Sequence, residues 1–445
     1  MSEDSRIRAD ALIAFKARNV RCYRDEATLS MGATRVANSG VVRNLATASS
    51  VPTRVLPSAG VFGANGSGKS ALLRAMHDMR ALVVNSFRQG SRGTGLRQRP
   101  FMLGAQTDSV SSELEVELVL DGVFWQYGFE FDEERVLREY AYHFPRGRQA
   151  MVFERQSDSV TFGASLRAAG RALVPILREN ALVLSVLGAT KAPHASLLYA
   201  WWQRNLHLAA AWNRPLRSAF TARLAAAQAS RSRVLGLINA ADRTAVDIKV
   251  LQPDADTLER LRQITRILGG DDASDEDVVV EGELQLVHRG SESNVAFDAE
   301  DESEGTRVWI GLIGPVIQAL ANGNVLLVDE IDASLHPHLV ARLIDLFQDP
   351  RTNPKCAQLI FNAHDTNILG NPDSHALGRD QIWFTEKSED GACHLYSLAD
   401  FRPRRDESIR RGYLSGRYGG IPELDPMAFG RSLENLGAVP AGAEE

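Results

Sequence analysis

The segment Gly63–Ser70 reads Gly-Ala-Asn-Gly-Ser-Gly-Lys-Ser and constrains this chain more than any other stretch. It satisfies the pattern GxxxxGK(S/T) without a mismatch, follows an apolar stub (Gly60-Val61-Phe62), and opens a helical run from Ser70 to about Phe87. A strand, a glycine loop and a helix in that order form a phosphate cradle. Glycines at 63, 66 and 68 let main-chain N–H groups turn inward, and the helix N-terminus adds its positive dipole. The spacing places Gly63, Ala64, Asn65, Gly66, Ser67 and Gly68 around a nucleotide. Lys69 then meets the β- and γ-phosphates, and the Ser70 hydroxyl ligates Mg²⁺.

A second element is Val325–Glu330, an apolar strand ending in Asp329-Glu330. Such a strand delivers two carboxylates to the edge of a sheet where α/β ligand sites lie. Asp329 is expected to hold Mg²⁺ and Glu330 to act as general base on the attacking water. A third is Asn362-Ala363-His364-Asp365, after an apolar strand Gln358–Phe361, which puts His364 on the γ-phosphate side of the same site. ATP and Mg²⁺ are the cofactors this set requires.

Around these motifs the chain alternates β and α, the pattern of a sheet flanked by helices. Residues Ala11–Leu29 read as two short strands around Arg24-Asp25, and Val36–Pro57 as a loop. Glu113–Phe144 reads as β, with a hairpin turn at Asp121-Gly122. Helical spacing is expected over Leu173–Leu187, Leu197–Ala211 and Leu258–Leu268, followed by an acidic loop, Asp271–Asp277. Arg307–Ala321 is expected to be a helix bent at Gly314-Pro315 and capped by Asn322-Gly323. These readings divide the chain into 1–165, the first half of an ATPase head; 166–280, a mostly helical insertion; 281–428, the second half; and 429–445, a flexible tail. The fold class is α/β, with antiparallel elements near the N-terminus.

Composition narrows the setting. The 445 residues carry a formal charge of −6, so no bulk basic field marks a nucleic-acid binder. The three cysteines, Cys22, Cys356 and Cys393, lie far apart with no CxxC spacing, which argues against a disulfide framework or a zinc site and fits a cytoplasmic location. The polar N-terminus is unlike a signal peptide, and the longest apolar stretch, Val308–Ala321, is too short to cross a membrane.

The order of Gly63–Ser70, Glu302-Ser303-Glu304-Gly305-Thr306, Val325–Asp332, Ser334-Leu335-His336-Pro337 and Asn362–Asp365 resembles the ABC-class ATPases of the SMC and OLD groups. It is most similar to the stand-alone RloA-type ATP-binding proteins that accompany phage-defence and abortive-infection effectors. The resemblance implies that Ser303, Gly305 and Thr306 reach the γ-phosphate of a nucleotide held by a second copy. It implies that Asp332, Ala333 and Ser334 form the D-loop crossing that interface, with His336 as a structural cap. Gly412–Gly419 is similar to the C-terminal segment of these proteins. The implied partners are a second copy of the chain, a separate effector (a nuclease or toxin) and a trigger, either nucleic acid or a phage protein. A glutamine that senses Mg²⁺ is expected, with Gln98 and Gln106 as candidates.

Two arginine clusters, Arg88/Arg92/Arg97/Arg99 and Arg402/Arg404/Arg405/Arg410/Arg411/Arg417, could track a phosphate backbone or be solvated surface. Trp201-Trp202 could stack bases or be buried. Three rivals to the defence role stand: a DNA-repair ATPase of SMC type, a transporter subunit, and a protein that uses ATP as a structural clamp without turnover.

Overall fold

The structure, a computed structural model, describes residues 6–35, 40–48, 53–89, 95–103, 111–188, 190, 192, 194–251, 282–369, 377–404, 407–422 and 431. Leu258–Leu268, Asp271–Asp277, Gln106, Arg92, Arg405 and most of the tail fall outside them.

The chain begins with β1 (Ala11–Arg18) and β2 (Ala27–Ser30), then a ribbon of β3 (Arg43–Leu45) and β4 (Thr53–Val55). The stretch expected to be loop at Val36–Pro57 therefore carries a short β-ribbon. Strand β5 (Ser58–Gly63) leads into helix α1 (Lys69–Gln89). Strands β6 (Ser112–Leu120), β7 (Val123–Phe131), β8 (Val136–His143), β9 (Ala150–Gln156) and β10 (Ser159–Phe162) form an antiparallel meander. With β1 and β2 they make a seven-stranded sheet ordered β10-β9-β8-β7-β6-β1-β2. The β6–β7 turn places Asp121 at φ 48° and Gly122 at φ 75°, as a two-residue hairpin of matching twist requires.

Next come helices α2 (Arg167–Leu173), α3 (Val183–Leu187) and α4 (Ala195–Arg204), strand β11 (Leu206–Ala209), and helices α5 (Arg214–Ala226) and α6 (Gln228–Ala241). Strands β12 (Ala245–Leu251), β13 (Glu283–His288) and β14 (Val295–Phe297) form a three-stranded antiparallel sheet. Helix α7 (Glu304–Asn322), β15 (Val325–Val328), α8 (Pro337–Gln348), β16 (Gln358–Asn362), β17 (Ile382–Lys387), β18 (Cys393–Ser397) and α9 (Ile409–Leu414) complete the chain.

The central sheet is ordered β11-β15-β16-β5-β17-β18, parallel except for β18. Its strands are apolar on both faces because both are covered. Val325 and Leu327 pack with α1, α4 and the seven-stranded sheet, whereas Leu326 and Val328 pack with α7 and α8. Strand β16 separates β5 from β15, so the glycine loop and the acid pair leave the same sheet edge on either side of Asn362.

Two helix expectations are corrected. Leu173–Leu187 is broken into α2, a 3-10 turn and α3. The helix expected over Leu197–Ala211 stops at Arg204, and β11 takes its last residues into the central sheet beside β15. Leu206 and Ala209 are buried there, and tertiary pairing outweighs the helical tendency of Leu and Ala. The stretch 166–280 thus contributes an edge strand to the central sheet, and its described part also includes β12.

Helix α7 shows why its proline is tolerated. Pro315 has no N–H to give Gly311, and the freed Gly311 carbonyl accepts from Arg217 Nη1 at 2.7 Å. One residue earlier, Thr221 Oγ1 enters the helix ladder, accepting from Gly314 N at 3.0 Å and donating to Ile310 O at 2.7 Å. Gly323 ends the helix at φ 77°.

Candidate functional site

Strand β5 delivers the loop. Gly66 and Gly68 take φ of 76° and 108°, and a Cβ on Gly68 would lie 2.9 Å from Cys22 Sγ. Ser67 is turned away from the cradle and bonds Thr385 Oγ1 at 2.7 Å, while Tyr23 donates to the Gly68 carbonyl at 3.1 Å. The loop is thus pinned from β17 and from the β1–β2 turn. Lys69 donates to the carbonyls of Gly63 and Ala64 at 2.8 and 2.9 Å. Burial lowers its pKa, opposed by the fields of Asp332, Glu330 and Asp329.

The acid pair leaves β15 with Glu330 in the left-handed region at φ 57°. That strained backbone separates the two carboxylates. Asp329 stays beside α1, where its Oδ2 pairs with Arg74 Nη2 at 3.3 Å, and Glu330 joins the pocket lining. Asn362, at the tip of β16, ties the parts together. Its amide donates to Asp329 Oδ1 at 2.7 Å and to Ser70 Oγ at 3.3 Å, and its carbonyl accepts from Glu330 N at 2.5 Å. Ser70 and Asp329, the two residues expected to hold Mg²⁺, are therefore neighbours of one amide nitrogen. A hydroxyl and a carboxylate are the oxygen donors such a cation takes. Asp332 Oδ2 accepts from the backbone N–H groups of His364 and Asp365 at 2.8 and 2.6 Å, fixing the turn that presents His364.

These elements enclose an open pocket of about 560 Å³. Of the residues expected from sequence, Asn65, Gly66, Gly68, Lys69, Ser70, Glu330 and His364 line it. Arg21 and Cys22, from the β1–β2 turn, also line it, and nothing in their sequence context distinguished them. Asn362 had a visible signal, since it opens the segment that carries His364.

Ser303, Gly305 and Thr306 do not line this pocket. Ser303 caps α7, accepting from Thr306 N at 3.1 Å. A Cβ on Gly305 would stand 2.7 Å from Ser334 O, so the start of α7 lies flat against the turn after the acid pair. Ser334 itself adopts φ 60°.

The remaining sequence candidates separate clearly. Gln98 bonds Ser112 Oγ at 3.0 Å and Phe131 O at 3.4 Å, which anchors it to the antiparallel sheet and not to the pocket. Trp201 and Trp202 are 3% and 0% exposed, so neither offers a face to a base. His336 accepts from His338 N at 3.2 Å as a cap. In the second arginine cluster Arg417 pairs with Glu407 at 2.5 Å, and Arg410 bonds Thr366. Gly412–Gly419 packs on β17, with Tyr413 and Tyr418 stacked on Phe384. The cysteines distant in sequence are not all distant in space. Cys393 N donates to Cys22 O at 2.7 Å, and both sulfurs lie beneath Gly68.

Residues 58–370, from β5 to just past the His364 turn, match the sequence family described as "AAA domain, putative AbiEii toxin, Type IV TA system". The chain belongs to this family. No curated protein matches it in sequence. Among solved structures it is similar to an SmcHead bound to the C-winged helix domain of ScpA, at 14% identity, covering 88% of this chain and 99% of that one, with a TM-score of 0.40. A Smc head domain with an extended coiled coil bound to the C-terminal domain of ScpA, derived from Pyrococcus furiosus, gives 12% identity, 88% and 98% coverage and a TM-score of 0.39. An SMC head domain from Thermotoga maritima gives 10%, 87%, 98% and 0.33. Family membership and site geometry agree on a P-loop ATPase domain. No helix among the described residues is long and apolar enough to cross a membrane.

Proposed function

We propose that this chain is a Mg²⁺-dependent ATPase whose two nucleotide sites form between two copies, and that it controls a separate effector in defence against phage. The observation that carries the ATPase reading is the set of three hydrogen bonds that Asn362 makes with Ser70, Asp329 and the Glu330 backbone, which couples the phosphate cradle to the acid pair. In this reading Lys69 binds the β- and γ-phosphates. Mg²⁺ held by Ser70 and Asp329 supplies charge neutralisation when bound. Glu330 takes a proton from water, and His364 donates to the γ-phosphate.

The second copy is needed because Ser303, Gly305 and Thr306 do not line their own cradle, and Gly305 lies against the Ser334 turn. A helix N-terminus with two hydroxyls and a glycine is suited to a γ-phosphate arriving from outside. The effector role rests on the family description, which reads "putative AbiEii toxin, Type IV TA system", and on the resemblance to RloA-type proteins.

Glu330→Gln is expected to keep ATP, lose about 10²–10⁴ in turnover and accumulate as a dimer in size-exclusion chromatography with light scattering. Lys69→Ala is expected to lose ATP binding by calorimetry. Normal turnover by Glu330→Gln ends the assignment of the base. Negligible turnover by the wild-type chain, with ATP bound, favours a nucleotide clamp instead.

A further inference from the structure

A second groove, of about 640 Å³, runs along the outer face of α1. Arg74, His77, Asp78, Ala81, Leu82 and Asn85 form its floor, one stripe of the helix. From Arg74 to Ser86 that stripe is about 18 Å long, at 1.5 Å per residue. The segment 95–99 forms the opposite wall and contributes Arg97 and Arg99. Trp212 stands over His77 with ring centroids 6.2 Å apart and is 62% exposed.

The charge balance is one-sided. Asp78, the acid on the floor, is already neutralised by Arg21 at 2.5 Å. Arg74 spends one nitrogen on Asp329, and among the described residues Arg97 and Arg99 have no carboxylate partner. Burial lowers the pKa of His77, which leaves it neutral near pH 7. Guanidinium groups beside an exposed indole, between Leu82 of the floor and Leu96 of the wall, suit a ligand with alternating anionic and flat apolar parts. A paired duplex stacks its bases on each other and leaves none for Trp212, and a single nucleotide fills only part of the length.

We propose that this groove binds a short single-stranded oligonucleotide, with Trp212 stacking a base and Arg97 and Arg99 holding phosphates. The ligand also reaches the ATPase site. Arg74 belongs to both, lining the groove and pairing with Asp329 at 3.3 Å. A phosphate in the groove competes for Arg74 and frees Asp329 for Mg²⁺. This coupling rests on the ATPase reading above, whereas the binding does not.

Binding is therefore measured in the Lys69→Ala chain without ATP, by fluorescence anisotropy of a fluorescein-labelled pentathymidylate at low salt. Trp212→Ala and the pair Arg97→Ala/Arg99→Ala are each expected to weaken binding about tenfold, with Trp212→Phe close to wild type. In the wild-type background both changes leave basal ATPase intact and abolish its stimulation by the oligonucleotide at limiting Mg²⁺. The proposal is overturned if neither change alters binding, or if inorganic tripolyphosphate displaces the probe as well as unlabelled pentathymidylate does. Oligonucleotide binding as expected in a chain that never hydrolyses ATP counts against the ATPase reading alone.

Discussion

Asn362 and Asp329 stand 2.7 Å apart, amide nitrogen to carboxylate oxygen, and the same amide faces Ser70. One side chain thus orients both groups expected to hold Mg²⁺, and its carbonyl fixes the backbone of Glu330. Asn362→Ala is expected to lower kcat by about 10²-fold while ATP affinity in the absence of Mg²⁺ stays near wild type, because Lys69 and the loop amides are untouched. Steady-state ATPase assays paired with calorimetry check the split.

Arg74 competes for Asp329. Removing it by Arg74→Ala is expected to lower the Mg²⁺ concentration for half-maximal ATPase about two- to fivefold, a modest change because the arginine is half exposed. A Mg²⁺ titration at saturating ATP reads this directly.

Cys22 lines the pocket at the glycine loop and its thiol pKa is lowered, chiefly by the hydrogen bond from Cys393. Burial pushes Cys356 up to about 12, and Cys393 is raised by its bond to Cys22 and by burial. Iodoacetamide is expected to modify Cys22 about tenfold faster than either, and ATP to slow that reaction. Peptide mass spectrometry over a time course distinguishes the three.

The hydrogen-bond ladder of α7 next to Pro315 runs through Thr221. Thr221→Val leaves Gly314 N and Ile310 O without their partner inside a buried helix. A loss of about 1–3 kcal/mol is expected, seen as a lower urea midpoint with an unchanged slope.

Glu139 is buried among Val183 N, Leu184 N and the Tyr127 hydroxyl, and burial raises its pKa to about 7. The folded chain therefore holds this proton more tightly than the unfolded chain, whose carboxyl titrates near 4.5. Its contribution is fully present below that value and is lost as pH rises towards 7, by about 3 kcal/mol at most. Glu139→Gln is expected to flatten this part of the profile, as followed by urea denaturation between pH 4.5 and 8.

The elements around the phosphate cradle were legible because local physics dictates them. Gly63–Ser70 needs left-handed glycines, and Val325–Val328 is apolar on both faces. The hairpin at Asp121-Gly122 and the cap at Gly323 were legible for the same reason. Strand β11 was not, because Leu206–Ala209 follows a helix of similar composition and becomes a strand only by meeting Val325–Val328. Arg21, Cys22 and Arg74 reach the site through long-range packing, which no spacing records.

The placement of β11 bears on how the head can move. Asp329 N donates to Ala209 O at 2.8 Å, and Arg217 holds both Ala210 O and Gly311 O. The chain from β11 into α5 is therefore not a door hung on the rim of the sheet. It is a strut bolted at one end to the backbone of Asp329 and at the other to the middle of the helix that Ser303 begins. A displacement of that helix must be felt at Asp329, and a shift at Asp329 must return along the same strut.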